Sequence, residues 1–170
     1  MKHEEKLIAM IEEERLQYIG SVVLGLNDAL VELPGTLAGL TFAMRDTGLI
    51  SLAGMITGVA ASLSMTASQY LSTKSDTDQR NAVKSALYTG ATYIVTVIFL
   101  IVPFLALENY FMSLIITIIV ALIIIFVFNF YISVARDHDF KARFMEMALI
   151  SFGVAFLTFF IGYLIRVFLE

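Results

Sequence analysis

The sequence predicts an all-α, polytopic membrane protein with five transmembrane helices behind a short N-terminal amphipathic helix. Three observations carry that fold class. Of 170 residues, 59% are hydrophobic and only 15% charged, and a mean hydropathy of +0.85 is too apolar for a domain that must present a polar surface to water. Five apolar runs, residues 18–44, 49–71, 86–107, 111–135 and 144–165, are each long enough at about 1.5 Å per helical residue to cross roughly 30 Å of hydrocarbon. The basic residues gather in alternate connections, the pattern of a chain that threads a bilayer repeatedly.

Residues 1–17 place Leu7, Ile8, Ile11 and Arg15 on one side of a helix and glutamates elsewhere, so they read as a cytoplasmic amphipathic helix running into the first span. This segment lacks the basic start and small-residue cleavage site of a signal peptide and is expected to stay in the mature protein. The five-helix domain then occupies 18–170. The turn RDTG, 45–48, makes spans 1 and 2 an antiparallel hairpin through its Asp and Gly. STKSDTDQRN, 72–81, is hydrophilic and too short for a domain. ENY, 108–110, and RDHDFKAR, 136–143, close the remaining turns. Tyr18, Tyr70, Tyr88, Tyr110, Tyr131 and Tyr163 fall near span ends, where amphipathic rings favour the interface.

The spans differ in kind. Span 4 is packed with Ile and Phe and has no ionisable residue, which suits a helix facing lipid. Span 2 is rich in Gly, Ala, Ser and Thr, which allow helices to approach closely, and spans 1 and 2 are expected to form the interior.

Orientation follows from Lys and Arg. Lys2, Lys6, Arg15, Lys74, Arg80, Lys84, Arg136, Lys141 and Arg143 fall on one side, and only Arg45 and Arg166 on the other, which puts the N-terminus in the cytoplasm. A multi-pass protein of a prokaryotic cell membrane is the expected location. The net charge of -4 comes with no basic cluster outside these flanks, so no nucleic-acid partner is expected. The absence of cysteine removes disulfides and thiolate metal sites.

Asp28 and Glu32 stand four residues apart within the aliphatic stretch GLNDALVELPG, 25–35. At 100 degrees per residue, Ser21, Gly25, Asp28, Glu32, Gly35 and Gly39 fall within an arc of about 80 degrees. Span 2 gathers a similar stripe, Gly54, Gly58, Ala61, Met65, Ser68 and Ser72, with Thr57 and Ser64 at its margin, and the two stripes are expected to face each other. Gly35 with Gly39 and Gly54 with Gly58 are GxxxG pairs, for which close helix packing is a sufficient reason.

Packing does not explain the acids. An ionised carboxylate at membrane depth costs on the order of 2.5–3.5 kcal/mol on the lenient insertion scale. Each must be protonated, paired, hydrated or bound to a cation, and Lys and Arg are confined to the span ends. Protonated acids hydrogen-bonded across an interface are one solution, and a cation is the other. Pro34 cannot donate to the carbonyl of Leu30, so a backbone oxygen is expected beside the acids, with Asn27 close by. Hard carboxylate oxygen together with the thioether of Met65 suits Fe(II) or another first-row divalent ion better than Mg or Ca, although a lone methionine also serves as apolar filler. Because a carboxylate must lose its proton to ligate a metal, metal binding would release protons.

GLNDALVELPGTLAG, 25–39, and AGMITGVAASLSMTASQYLSTKSD, 53–76, resemble the first and second spans of the vacuolar iron transporter family. The resemblance covers spans 1 and 2, and spans 3–5 by topology. It implies a five-span homodimer that exports Fe(II), and often Mn(II), from the cytoplasm in exchange for protons, with Zn(II) and Co(II) as further candidates and no permanently bound cofactor. Asp28 matches the family's translocation aspartate and Met65 its pathway methionine. Two departures stand out. Iron-transporting members carry a carboxylate on span 2 where this chain has Thr57, so Glu32 is the candidate replacement. Those members also insert a cytoplasmic metal-binding domain between spans 2 and 3, for which 72–81 leaves no room.

The N-terminal helix, with Glu13 and Glu14 among its acids, could capture metal instead or simply be a solvated face. Glu146, between Met145 and Met147, either collects metal at the entrance or snorkels to the interface. His138 has no second histidine at ligand spacing and reads as solvated. The rival function is a non-transporting membrane scaffold or anchor whose small-residue stripes serve only dimer packing. An enzyme is not expected, because the sequence has no nucleotide loop, no Ser/His/Asp set and no thiol.

Overall fold

The computed structural model describes the backbone of residues 2–75, 81–136 and 139–169, and the side chains of 18–75, 81–134 and 139–168. Among these, α1 (Lys2–Met44), α2 (Thr47–Ser75), α3 (Ala82–Ala106), α4 (Tyr110–Arg136) and α5 (Phe140–Leu169) make an all-α fold. Residues 2–17 continue into the first span as one unbroken helix. Their side chains, including Glu13 and Glu14, lie outside the described residues, as do 76–80 of the long connection and His138.

The helices begin at side-chain caps. Asp46 Oδ1 accepts from the Leu49 amide at 2.8 Å, Asn81 from Val83 and Lys84, Asn109 from Phe111 and Met112, and Asp139 from Lys141. Each cap satisfies amides that the first turn leaves unpaired. The first connection departs from the sequence reading. Only Arg45 and Asp46 lie between the helices, and Gly48 is already inside α2. The residue in the left-handed region is Arg45, at φ 53°, whose amide closes on the Thr41 carbonyl at 3.3 Å.

Helix α1 is central and touches all four others, while α3 also packs against α2 and α4. The fully buried side chains, among them Leu30, Leu33 and Leu37 of α1 and Tyr93, Val97 and Leu100 of α3, lie along this seam. Among the described residues, four helices, α2 to α5, are long and apolar enough to cross a membrane. The expected fifth span, α1, does not reach that apolarity, because Asn27, Asp28, Glu32 and Pro34 dilute its aliphatic content. Its neighbours supply the apolar surroundings that its own sequence lacks.

Hydroxyls bind the helices to one another through backbone carbonyls. Thr89 of α3 donates to Ser21 of α1 at 2.9 Å, Ser62 of α2 to Gly90 of α3 at 3.0 Å, and Thr117 of α4 to Leu100 of α3 at 3.0 Å. Ser151 of α5 donates to Leu30 of α1 at 2.6 Å. In hydrocarbon such bonds contribute roughly 0.6 kcal/mol each on average.

Spans 1 and 2 do not face each other along their small-residue stripes. A methyl on Gly25 would meet the Thr89 carbonyl, one on Gly35 would meet Val154 and Thr158, and one on Gly39 would meet Thr158. Gly58 faces Val97 of α3, and only Gly54 meets α1, through Leu37. Helix α2 is correspondingly not interior: it buries Gly54, Gly58 and Ser62 on one side and leaves Leu52, Ile56, Val59 and Leu63 exposed. Small residues permit close approach on any face, and within one chain α2 uses a single face. Helix α4 exposes half of its Ile and Phe but buries two polar pairs, Ser113 with Thr117 and Asn129 with Ser133, separated on the same face by Ala121 and Ile125.

Candidate functional site

Asp28 and Glu32 are one turn apart on α1 and have different surroundings. Glu32 reaches α3, where the Tyr93 hydroxyl donates to its Oε2 at 2.7 Å. Tyr93 is completely buried, and the carboxylate gives its phenol the acceptor that a buried hydroxyl requires. Asp28 has no hydrogen bond or ion pair among the described residues and lines a shallow depression on α1 with Gly20, Val23, Leu24, Asn27 and Val31. One acid is tethered and the other is open. No basic side chain among the described residues pairs with either.

The backbone oxygen expected beside the acids is already engaged. Pro34 does free the Leu30 carbonyl, but Ser151 donates to it at 2.6 Å, so α5 takes the acceptor that a cation would have used. Among the described residues, no group of three or more His, Asp or Glu side chains gathers at one point. Asp28 and Glu32, with the Asn27 amide oxygen, are the oxygen donors that one chain offers here.

The remaining candidates are dispersed. Met65 is partly buried and packs against the edge of the hydrophobic core. Thr57 is partly buried and Ser64 exposed on the same helix, and none of the three lines the depression at Asp28. Asn27 and Glu146 do come together. They share a cavity of about 210 Å³ with Val23, Asn129, Arg143, Met147 and Ile150, between α1, α4 and α5.

Sequence reasoning missed Tyr93, Asn129 and Ser151. For Tyr93 a signal existed: it is the one tyrosine placed in mid-span instead of at a span end, where its hydroxyl needs a partner inside the bundle. Asn129 is likewise the one amide side chain in a helix that is otherwise mostly aliphatic and aromatic. Ser151 carries no signal of its own, since its role depends on Pro34 at a distant point in the chain.

Helices α1 and α2 hold the two most distinctive sequence stretches except for Asp76, which lies outside the described residues. Residues 19–83 match the VIT family. The match runs from the second residue of the first span through all of α2 to the start of α3, and so includes Asp28, Glu32 and Met65. No curated protein matches the chain at a significant level.

Proposed function

We propose that this protein exchanges a divalent metal ion, Fe(II) or Mn(II), for protons across a membrane, exporting the metal from the cytoplasm as a homodimer. The observation that carries this reading is the pair of carboxylates on α1, set among apolar helices with no basic partner among the described residues and with one acid open at the helix surface. Hard oxygen donors suit these ions. Two carboxylates also bind protons competitively with metal, which is the physical requirement for exchange.

A dimer would supply what one chain lacks. Asp28 opens on the surface of α1, and α2 leaves a face with Ser64, Ala67 and Ser68 exposed. A second copy against these faces would double the carboxylates around one axis and add the Met65 thioethers. Asp28 then serves as the principal ligand, Glu32 as ligand and proton carrier, and Met65 as a selectivity group. The basic residues on the side of the N-terminus put that end in the cytoplasm, and export is what the resemblance to vacuolar iron transporters implies.

The glycines weigh against a scaffold whose stripes serve only dimer packing, because Gly35, Gly39, Gly54 and Gly58 all meet neighbours inside a single chain. The test is Mn(II) or Fe(II) flux in proteoliposomes under an inward-acidic gradient. Wild type is expected to move metal, and the double variant Asp28→Ala, Glu32→Ala to lose at least nine-tenths of that flux. Equal flux in both would end the proposal.

A further inference from the structure

The cavity between α1, α4 and α5 adjoins the depression at Asp28, because Val23 and Asn27 line both. One end of it carries Arg143 and the exposed Glu146, one helical turn apart on α5. Its inner wall carries Asn129, which is 8% exposed. The Asn129 amide nitrogen donates to the Ile125 carbonyl at 2.8 Å, and its side chain lines the cavity. One turn farther along α4 and outside the cavity lining, the Ser133 hydroxyl is buried without a hydrogen-bond partner among the described residues. Buried polar groups are ordinarily satisfied by protein or by water, and a cavity of about 210 Å³ has room for several waters with polar partners on its walls.

The charge pattern indicates what travels there. Glu146 and Arg143 sum to zero, and the two asparagines are neutral, so the cavity favours water without attracting a net charge. Arg143 offsets the attraction that Glu146 alone would exert on a divalent cation, whereas a water chain leading past an exposed carboxylate can carry protons. We propose that the cavity lined by Asn129, Arg143 and Glu146, which meets the Asp28 depression at Asn27, is a hydrated vestibule within one protomer that delivers water and protons to Asp28 from the side of α4 and α5. The delivery half rests on the transport reading above, and the hydration half does not.

The chain has no cysteine, so single substitutions report without background. In sealed vesicles exposing the Arg143 end, a charged, membrane-impermeant thiol reagent is expected to label Asn129→Cys and Met147→Cys at least tenfold faster than Ile132→Cys. Ile132 is buried on α4, nearer the Arg143 end than Asn129 and outside the cavity. Labelling at the Ile132→Cys rate at both lining positions would overturn the vestibule. Asn129→Leu then tests delivery: Mn(II) binding within twofold of wild type, with Mn(II)-driven proton movement slowed at least tenfold, is expected. Unchanged proton movement, or loss of Mn(II) binding, would overturn this proton route. Should the wild type move no metal while the cavity cysteines still label, the transport reading and the delivery claim fail together and the hydrated cavity stands.

Discussion

A phenol buried at the middle of a membrane helix needs an acceptor, and Tyr93 finds it in Glu32 at 2.7 Å. The bond fixes one carboxyl oxygen and leaves the other available, so the acid is oriented before any ion arrives. A hydrogen bond to a charged group contributes about 1.5–3 kcal/mol. Tyr93→Phe removes only the hydroxyl, and a Mn(II) titration should show affinity about tenfold weaker, the equivalent of ~1.4 kcal/mol. Glu32→Gln should behave differently: its amide oxygen still accepts from Tyr93, so the fold is kept while coupled proton movement is lost. At this scale the acids themselves were legible, because their cost in hydrocarbon is a property of the residues alone. Their partners were not. Tyr93 and Ser151 acquire meaning only when α3 and α5 are laid against α1, and the carbonyl freed by Pro34 looked available until Ser151 claimed it.

Helices here meet through glycine and hydroxyl, and the order of packing follows from which backbones come closest. Gly39 and Gly162 oppose each other across α1 and α5, where a methyl on Gly162 would meet the Gly39 carbonyl. Gly162→Ala must push two backbones apart, and overpacking of this kind costs about 1–3 kcal/mol. Thermal unfolding in detergent should register that loss, whereas Gly153→Ala, with nothing within 4 Å of the added carbon, should be tolerated. The apolar runs gave helices in their expected order because period and length depend on local composition. Which small-residue face meets which helix did not follow, since Gly and Ser mark only where approach is permitted. The stripe on α1 is divided between α3 and α5, and much of α2 remains uncovered in the single chain.

As a whole, the molecule places its least apolar helix at the centre of four that suit lipid, which allows polar chemistry to sit inside a bundle whose outside is apolar. Of the five expected spans only α2 to α5 are apolar enough to cross a membrane on their own among the described residues; the order of the helices and the charge asymmetry were readable because the bilayer imposes them on sequence. The cavity against α4 and α5 was not, since it is assembled from residues of three helices. Because a carboxylate must lose its proton to hold a metal, apparent Mn(II) affinity should rise with pH while the acids deprotonate and fall on acidification. Equilibrium binding measured across pH would show a flat profile if the acids were not ligands. The most direct test of the account is the number of protons displaced as Mn(II) is added to the purified protein in weak buffer. Metal-dependent proton release that disappears in Asp28→Asn with Glu32→Gln is the predicted result; Mn(II) binding with no proton release, or release unchanged in that double variant, would contradict it.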